Sequence, residues 1–316
     1  MPKKQFDLIT VGGATVDISF YSKEGELVST GNTVKQKLLA FEYGAKIVAD
    51  RVFKTFGGGC SNAAVAAARL GLKTAALCRV GKDDFGKRVL ANFTANKVGI
   101  GLIKLDDKNP TGFTVILTID NPSKEHIAFV YRGSNIALSD RDLPSLTIDA
   151  KWFYVTSLPA AGWQKIMDKL VASGKKIAWN PGNEQLKDIT AVKKYLKKIE
   201  VLIVNHDEAL EFKKLKDMKG LLAHLKSLGP RLAVITDGAN GAYAIDDKRQ
   251  YYMKAKSVKP INTLGVGDAF GSALTSALVY DKNIKEALTW GIKNSASVVA
   301  HIGAQKGLLT KKEIEK

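Results

Sequence analysis

Ile261-Asn262-Thr263-Leu264-Gly265-Val266-Gly267-Asp268-Ala269-Phe270-Gly271 runs from a turn of small residues into a helix. Gly265 and Gly267 open backbone angles closed to other residues and let a ligand approach the main chain. From Asp268 on, Ala269, Ala273, Leu274, Ala277 and Leu278 recur at helical spacing. The spacing therefore predicts a helix N-terminus with several free N–H groups at the positive end of its dipole. Such a site takes an anion, and phosphate fits it well. Asp268 stands at its mouth, where a general base would meet a hydroxyl attacking a phosphoryl group held by the backbone. A helix N-cap aspartate after a glycine turn is the other reading of the same residues.

Outward from that stretch, a second one has the same grammar. Phe56-Gly57-Gly58-Gly59-Cys60-Ser61-Asn62 leads into an alanine-rich helix that ends at Gly71. Alanine keeps a helix thin enough to lie close on a sheet, and the glycines let main chain approach a small ligand. Asn62 can both donate and accept there, or simply cap the helix. Near the start, the apolar run Phe6 to Val11 stops at Gly12-Gly13 and predicts a buried strand. Asp17 follows where that strand would open onto a crevice.

From about residue 150 the pattern alternates. Strands are expected at Trp152 to Thr156, Lys176 to Trp179, Val201 to Val204 and Leu232 to Thr236. Helices are expected at Trp163 to Ala172, Ala191 to Ile199 and Met218 to Leu228. Together these argue an α/β fold, with a central mostly parallel sheet flanked by helices on both faces. Right-handed crossovers align the strand ends on one edge. That edge collects Asn180, Asn205 with Glu208, and the loop Thr236 to Gly241. Asn205 and Glu208 can face a ligand or a hydrated cation, or form a capping pair. The chain closes with the helix from Asp268 and another over about Ile284 to His301.

Residues 18 to 56 lack helical period, with short strands expected at Ile18 to Tyr21 and Lys46 to Ala49. Phe113 to Ile119 and His126 to Tyr131 flank the turn Asp120-Asn121-Pro122-Ser123 as a hairpin. These segments are expected to form a small sheet standing off the main body.

The 316 residues, 45% of them hydrophobic, suffice for one large α/β domain or two smaller ones. Lys plus Arg is 48 against 31 Asp plus Glu, a net charge of +17 that attracts anions. The lysines are scattered and no basic-aromatic stripe occurs, so no specific nucleic-acid partner is expected. Two cysteines, Cys60 and Cys78, form no CxxC, and the four histidines form no ligand pattern. Without a long apolar run there is no membrane span to expect, and a cytoplasmic location is expected.

In order and spacing, Val11-Gly12-Gly13 with Asp17, Gly57-Gly58 through Asn62, Asn205-x-x-Glu208 and Thr263-x-Gly265-x-Gly267-Asp268 resemble the ribokinase-like (PfkB-type) sugar and nucleoside kinases. The resemblance spans nearly the whole chain. It implies one ribokinase-like domain over residues 1–316, with a β-sheet lid at about 18–56 and 111–132. The implied reaction moves the γ-phosphoryl of ATP, with Mg²⁺, to a primary hydroxyl of an unphosphorylated sugar. A nucleoside acceptor is the alternative, and a binding protein that kept the fold without turnover is a rival of another class.

By that resemblance Asp268 is the base, and the Gly265, Val266 and Gly267 backbone forms the anion hole. Asp17, Gly57, Gly58 and Asn62 bind the acceptor. Asn205 and Glu208 organise the phosphates and Mg²⁺, Glu208 through water. Thr236, Gly238 and Gly241 form the nucleotide loop, and Asn294 part of the adenine pocket. Asn262 stands where the family often has Asp, beside a monovalent-cation loop, so K⁺ activation survives only if a main-chain carbonyl makes the contact. Gly59 replaces a lysine of some members, and Thr15 an asparagine that contacts the sugar in ribokinase. A lid excludes water, and its exposed sheet invites a homodimer.

Overall fold

Along the central strands, successive residues bury on opposite faces, as the period of two in an extended chain requires. Ile9, Phe153, Ile177, Leu202 and Ala233 enter one hydrophobic cluster, while Leu8, Trp152, Ala178, Ile203 and Val234 enter another. A sheet buried on both faces needs a helical layer on each. The computed structural model, which describes residues 5–29, 37–119, 126–143 and 150–316, has both layers.

In chain order the strands are β1 (Phe6–Val11), β2 (Thr15–Ser22), β3 (Glu26–Ser29), β4 (Lys37–Ala40), β5 (Arg51–Gly57), β6 (Thr74–Leu77), β7 (Arg79–Gly81) and β8 (Lys104–Asp106). They continue as β9 (Gly112–Ile119), β10 (His126–Tyr131), β11 (Ala150–Val155), β12 (Lys176–Trp179), β13 (Val201–Asn205), β14 (Leu232–Thr236), β15 (Ala242–Ile245) and β16 (Gln250–Met253). The helices are α1 (Gly59–Arg69), α2 (Asp84–Ala95), α3 (Trp163–Ala172), α4 (Asn183–Leu186), α5 (Ile189–Leu196), α6 (His206–Phe212), α7 (Met218–Ser227), α8 (Val266–Val279), α9 (Ile284–Val299) and α10 (Lys311–Ile314).

The main sheet has eight strands in the order β16-β15-β14-β13-β12-β11-β1-β6. From β6 to β14 they run parallel, and the hairpin β15–β16 adds an antiparallel edge. One face is covered by α3, α5, α6 and α7, through Trp163, Ile166, Leu196, Ala209 and Leu222. The other is covered by α1, α8 and α9, through Ala63, Ala67, Phe270, Ala273, Leu274 and Leu288. The small residues of α1 and α8 keep both helices close to the strands.

A separate four-stranded sheet has the order β10-β9-β2-β5. β2 pairs with β5 antiparallel and with β9 parallel. Ile18 to Tyr21 lie within β2, as expected. Lys46 to Ala49 form no strand: the segment is irregular, Val48 is 64% exposed, and its N–H bonds to the Glu24 side chain instead of a ladder. The hairpin turn 120–123 lies outside the described residues. At the outer edge β10 is exposed along its whole length, with Phe129 and Val130 both above 60%. Behind the sheet, Arg79 bonds to both oxygens of Asp142 at 2.9 and 2.8 Å and to Asp106 at 3.2 Å. No helix among the described residues is long and apolar enough to cross a membrane.

Candidate active site

The carboxyl ends of β1, β11, β12, β13 and β14 share one edge, and the first turn of α8 lies over it. Helix α8 starts at Val266 with Gly265 as its cap residue, two residues earlier than the apolar spacing suggests. Gly265 has φ +72°, and a Cβ there would lie 2.3 Å from Ala304 Cβ, so glycine is required twice over. Gly267 is different: it is helical, and a Cβ there would meet nothing within 4 Å. Its smallness leaves open approach rather than a special conformation.

This start also moves the anion hole. Ala269 N–H closes the first helical bond, to Gly265 O at 2.9 Å, and Val266 N–H makes a long 3.5 Å contact to Thr263 O. The N–H groups of Gly267 and Asp268 are thus the first-turn donors without an intrahelical partner. Of the expected 265–267 group, Val266 N–H is thus the one with a main-chain contact, and Asp268 N–H joins Gly267 N–H in the first turn.

Asp268 is not the cap of α8. Its Oδ2 accepts from Asn62 Nδ2 at 2.8 Å, across from the N-terminus of α1. Burial of the carboxyl raises its pKa above the ordinary carboxylate value, and the Asn62 bond partly offsets this. Beneath it lies the fully buried Tyr154, whose hydroxyl has no hydrogen-bond partner. A Cβ on Gly271 would stand 2.1 Å from that hydroxyl, which accounts for the last glycine of the stretch.

Asp17 is buried, 8% exposed, on β2. Desolvation lifts its pKa from 3.8 to about 6; bonds from Thr114 and Thr15 lower it, and the charge of Asp268 raises it. Two acids that feel one another thus face a common space. Gly57 pairs with Thr15, and a Cβ on it would stand 2.2 Å from Asp17 Oδ2. Gly58 caps α1 at φ +86°, where a Cβ would strike Gly13 O at 2.5 Å. Beside them lies a cavity of about 150 Å³ lined by Gly12, Gly13, Thr15, Gly58, Gly59 and Arg132, among others. The sequence reading passes over Arg132, the one charged group of that lining, and Asn135, whose amide makes both bonds to the Ala14 backbone.

Asn205 and Glu208 form a reciprocal capping box at α6: Glu208 N–H donates to Asn205 Oδ1 at 2.8 Å, and Asn205 N–H to Glu208 Oε2 at 2.9 Å. The capping reading therefore holds, and it engages one oxygen of Glu208. Desolvation raises the pKa of Glu208, and the charges of Asp207 and Asp268 add to that. A cleft of about 500 Å³ opens beside it, lined by Asn183, Lys187, Asn205, Asp207, Glu208 and Glu211.

Other expected residues are placed less centrally. Thr236 ends β14 and pairs with Ala242, so the 236–241 loop is a hairpin turn. Gly238, at φ +50°, has open space around it. A Cβ on Gly241 would meet Met253 O at 2.2 Å, so that glycine serves hairpin packing. Asn294 is a correction: it is fully buried, donates to Ala269 O and accepts from Leu309 N–H, both at 2.9 Å. It ties α9 to α8 and faces no ligand surface. Asn262 Oδ1 accepts from Leu264 N–H at 2.7 Å, closing the turn ahead of α8.

The family model of pfkB carbohydrate kinases matches residues 24–311. The chain belongs to the PfkB family of carbohydrate kinases. It is 24% identical over 304 residues to a ribokinase of Staphylococcus aureus, covering 92% of this chain and 98% of that one. It is also 24% identical over 242 residues to a fructokinase of Salmonella typhimurium, covering 72% and 78%. Among solved structures, the Arabidopsis thaliana ribokinase complexed with ribose and ATP superposes with TM-score 0.79 at 20% identity, covering 99% and 98%. The nucleoside kinase of Methanocaldococcus jannaschii gives 0.80 at 18% identity, covering 98% and 97%. A putative ribokinase II of E. coli was solved with ATP and Mg²⁺. As a PfkB kinase, the chain has the ribokinase-like fold, and its eight-stranded sheet and small separate sheet are that fold's parts.

Proposed function

We propose that this PfkB kinase transfers the γ-phosphoryl of ATP to a primary hydroxyl of an unphosphorylated sugar, with Asp268 as base. One observation carries the reading: the Asp268 carboxylate, held by Asn62, stands beside the partnerless N–H groups of Gly267 and Asp268. The acceptor hydroxyl loses its proton to Asp268 as its oxygen bonds to phosphorus and the bridging P–O bond to the leaving diphosphate breaks. The α8 N–H groups meet the charge that builds on the transferring oxygens. Asp17 and the backbone at Gly57 and Gly58 hold the acceptor, with Arg132 at the cavity rim.

The oxygen donors of the 205–211 cleft fit a hydrated divalent ion better than a closed protein cage, since the cleft is open and of about 500 Å³, with carboxylates and amides in its lining. Asn205 and Glu208 would hold Mg²⁺ through its waters. When bound, the ion neutralises phosphate charge. Thr236 and Gly238 flank the nucleotide, with Gly238 leaving room. A K⁺ ion near Asn262 would be held by main-chain carbonyls, because that side-chain oxygen already closes the turn. The four-stranded sheet acts as a lid over one domain spanning residues 1–316, and exposed β10 pairs with a second copy.

Labelled phosphate from [γ-³²P]ATP with Mg²⁺ should pass to one of ribose, fructose, 2-keto-3-deoxygluconate, adenosine or inosine. A guanidinium donates to hydroxyls and carboxylates alike, which puts the sugar acid in the panel. Transfer to a nucleoside alone favours the second acceptor class. Nucleotide binding with no transfer to any acceptor refutes the proposal.

A further inference from the structure

Asn62 is one link in a row of side-chain amides that starts at the C-terminal end of α1. Arg69 Nε donates to Asn96 Oδ1 at 3.0 Å, and Asn96 Nδ2 donates to Asn92 Oδ1 at 3.2 Å. Asn92 Nδ2 donates to Gln305 Oε1 at 2.9 Å, Gln305 Nε2 to Asn62 Oδ1 at 3.1 Å, and Asn62 Nδ2 to Asp268 Oδ2 at 2.8 Å. A guanidinium can only donate and an ionised carboxylate can only accept. With those two ends fixed, each of the four amides between them has one allowed orientation. Turning one around would set oxygen against oxygen at one joint and N–H against N–H at the other.

Gln305 is the joint of this row. It is buried, 7% exposed, and comes from the segment after α9, far from the others in sequence. Its Nε2 also donates to Ser61 Oγ at 3.0 Å, and its main-chain oxygen accepts from Arg69 Nη1 at 3.0 Å. Arg69 thus anchors both the row and the loop that carries Gln305.

We propose that Gln305 is a positioning residue for phosphoryl transfer: through an amide row polarised from Arg69 to Asp268, it holds Asn62 with its N–H toward the base. This rests on the reading of Asp268 as base. Around that carboxyl, Asp17 from β2, Glu208 from α6 and the Tyr154 hydroxyl from β11 are, among the described residues, the titratable groups near enough to interact with it. The first two repel its charge. The Asn62 N–H, alongside the positive end of α8, therefore favours the ionised form that can take a proton. If Asn62 turned, its oxygen would face the carboxylate, and the base would be both misdirected and protonated at higher pH.

Gln305→Met keeps the bulk, adds no charge and removes both polar atoms. The Asp268 carboxyl is followed by ¹³C NMR in aspartate-labelled protein and assigned against Asp268→Asn. The expected result is an upward move of its titration by about one pH unit, a tenfold change in proton affinity. The acid limb of the kcat/KM profile should move with it, with kcat reduced and the KM for ATP unchanged. A purely structural role would lower Tm and leave the titration in place. A folded Gln305→Met protein whose Asp268 titration stays within about 0.2 pH unit of wild type overturns the proposal.

Should that variant not fold, Gln305→Leu is the second neutral probe, read in the same way. On the unaltered protein, Gln305 Nε2 protons that exchange as fast as a free glutamine amide overturn it, whichever variants fold. A moved titration in a protein that phosphorylates no acceptor keeps the row and removes the kinase assignment of Asp268, so the two failures are distinct.

Discussion

Asp17 lets a candidate site residue be read through stability, before any acceptor is known. Its folded-state pKa is raised from 3.8 to about 6, chiefly by desolvation. A carboxyl with a raised folded pKa favours its protonated form in the native state. Its ionisation therefore costs nothing below the unfolded value and its full amount above the folded one. At 1.36 kcal/mol per pH unit, the interval from 3.8 to about 6 corresponds to about 3 kcal/mol of stability lost by the wild type. Asp17→Asn keeps the shape and does not ionise. Urea denaturation of both proteins at pH 4 and pH 7 isolates the effect, because groups other than the neighbouring Asp268 titrate alike in the two and cancel, and the Asp268 charge is a smaller contribution than desolvation. The variant should gain on the wild type by about 2–3 kcal/mol between the two pH values, the lower figure allowing for partial ionisation of the unfolded chain at pH 4. A gap between the proteins that is equal at both pH values, within about 0.5 kcal/mol, refutes the reasoning. The same variant should bind acceptor more weakly, since an amide is a poorer hydroxyl acceptor than a carboxylate.

Asp268→Asn should fold, keep nucleotide affinity by equilibrium titration, and lose about 10²–10⁴ in kcat. Gly265→Ala forces a Cβ into the left-handed region and against Ala304; chemical denaturation should show a loss of at least about 1–3 kcal/mol, and turnover should fall as the start of α8 shifts. Arg79→Met leaves Asp106 and Asp142, each about 5% exposed, without their shared cation. Denaturation should register about 3–5 kcal/mol, smaller in acid where those carboxyls protonate.

The parallel core was legible because strands buried on both faces are short apolar runs, and Trp163–Ala172 and Lys176–Trp179 fall where their periodicity puts them. The antiparallel hairpin Ala242–Met253 gave no comparable signal: its burial alternates over only four residues per strand. Lys46 to Ala49 has a strand's composition but no strand to pair with among the described residues. Within the candidate site, glycines and acids stand out through local spacing, since turn geometry and helix starts are local matters. Gln305 and Arg132 could not be found that way. Gln305 matters only because a residue 243 positions away lies against it, and Arg132 only because it lines one cavity with Gly12 and Gly13. Asn294 misled for the converse reason: a polar residue on an amphipathic helix says nothing of whether its amide meets a ligand or a neighbouring helix.

The parts of the site come from opposite ends of the polypeptide, with consequences for a chain still on the ribosome. At about 5–20 residues per second, Asp17 emerges roughly 10–50 s before Asp268. Through that interval β1, Gly58 and Asn62 can gather without the base or the α8 N–H groups. On the reading of Asp268 as base, a nascent chain should therefore spend no nucleotide until α8 docks beside α1.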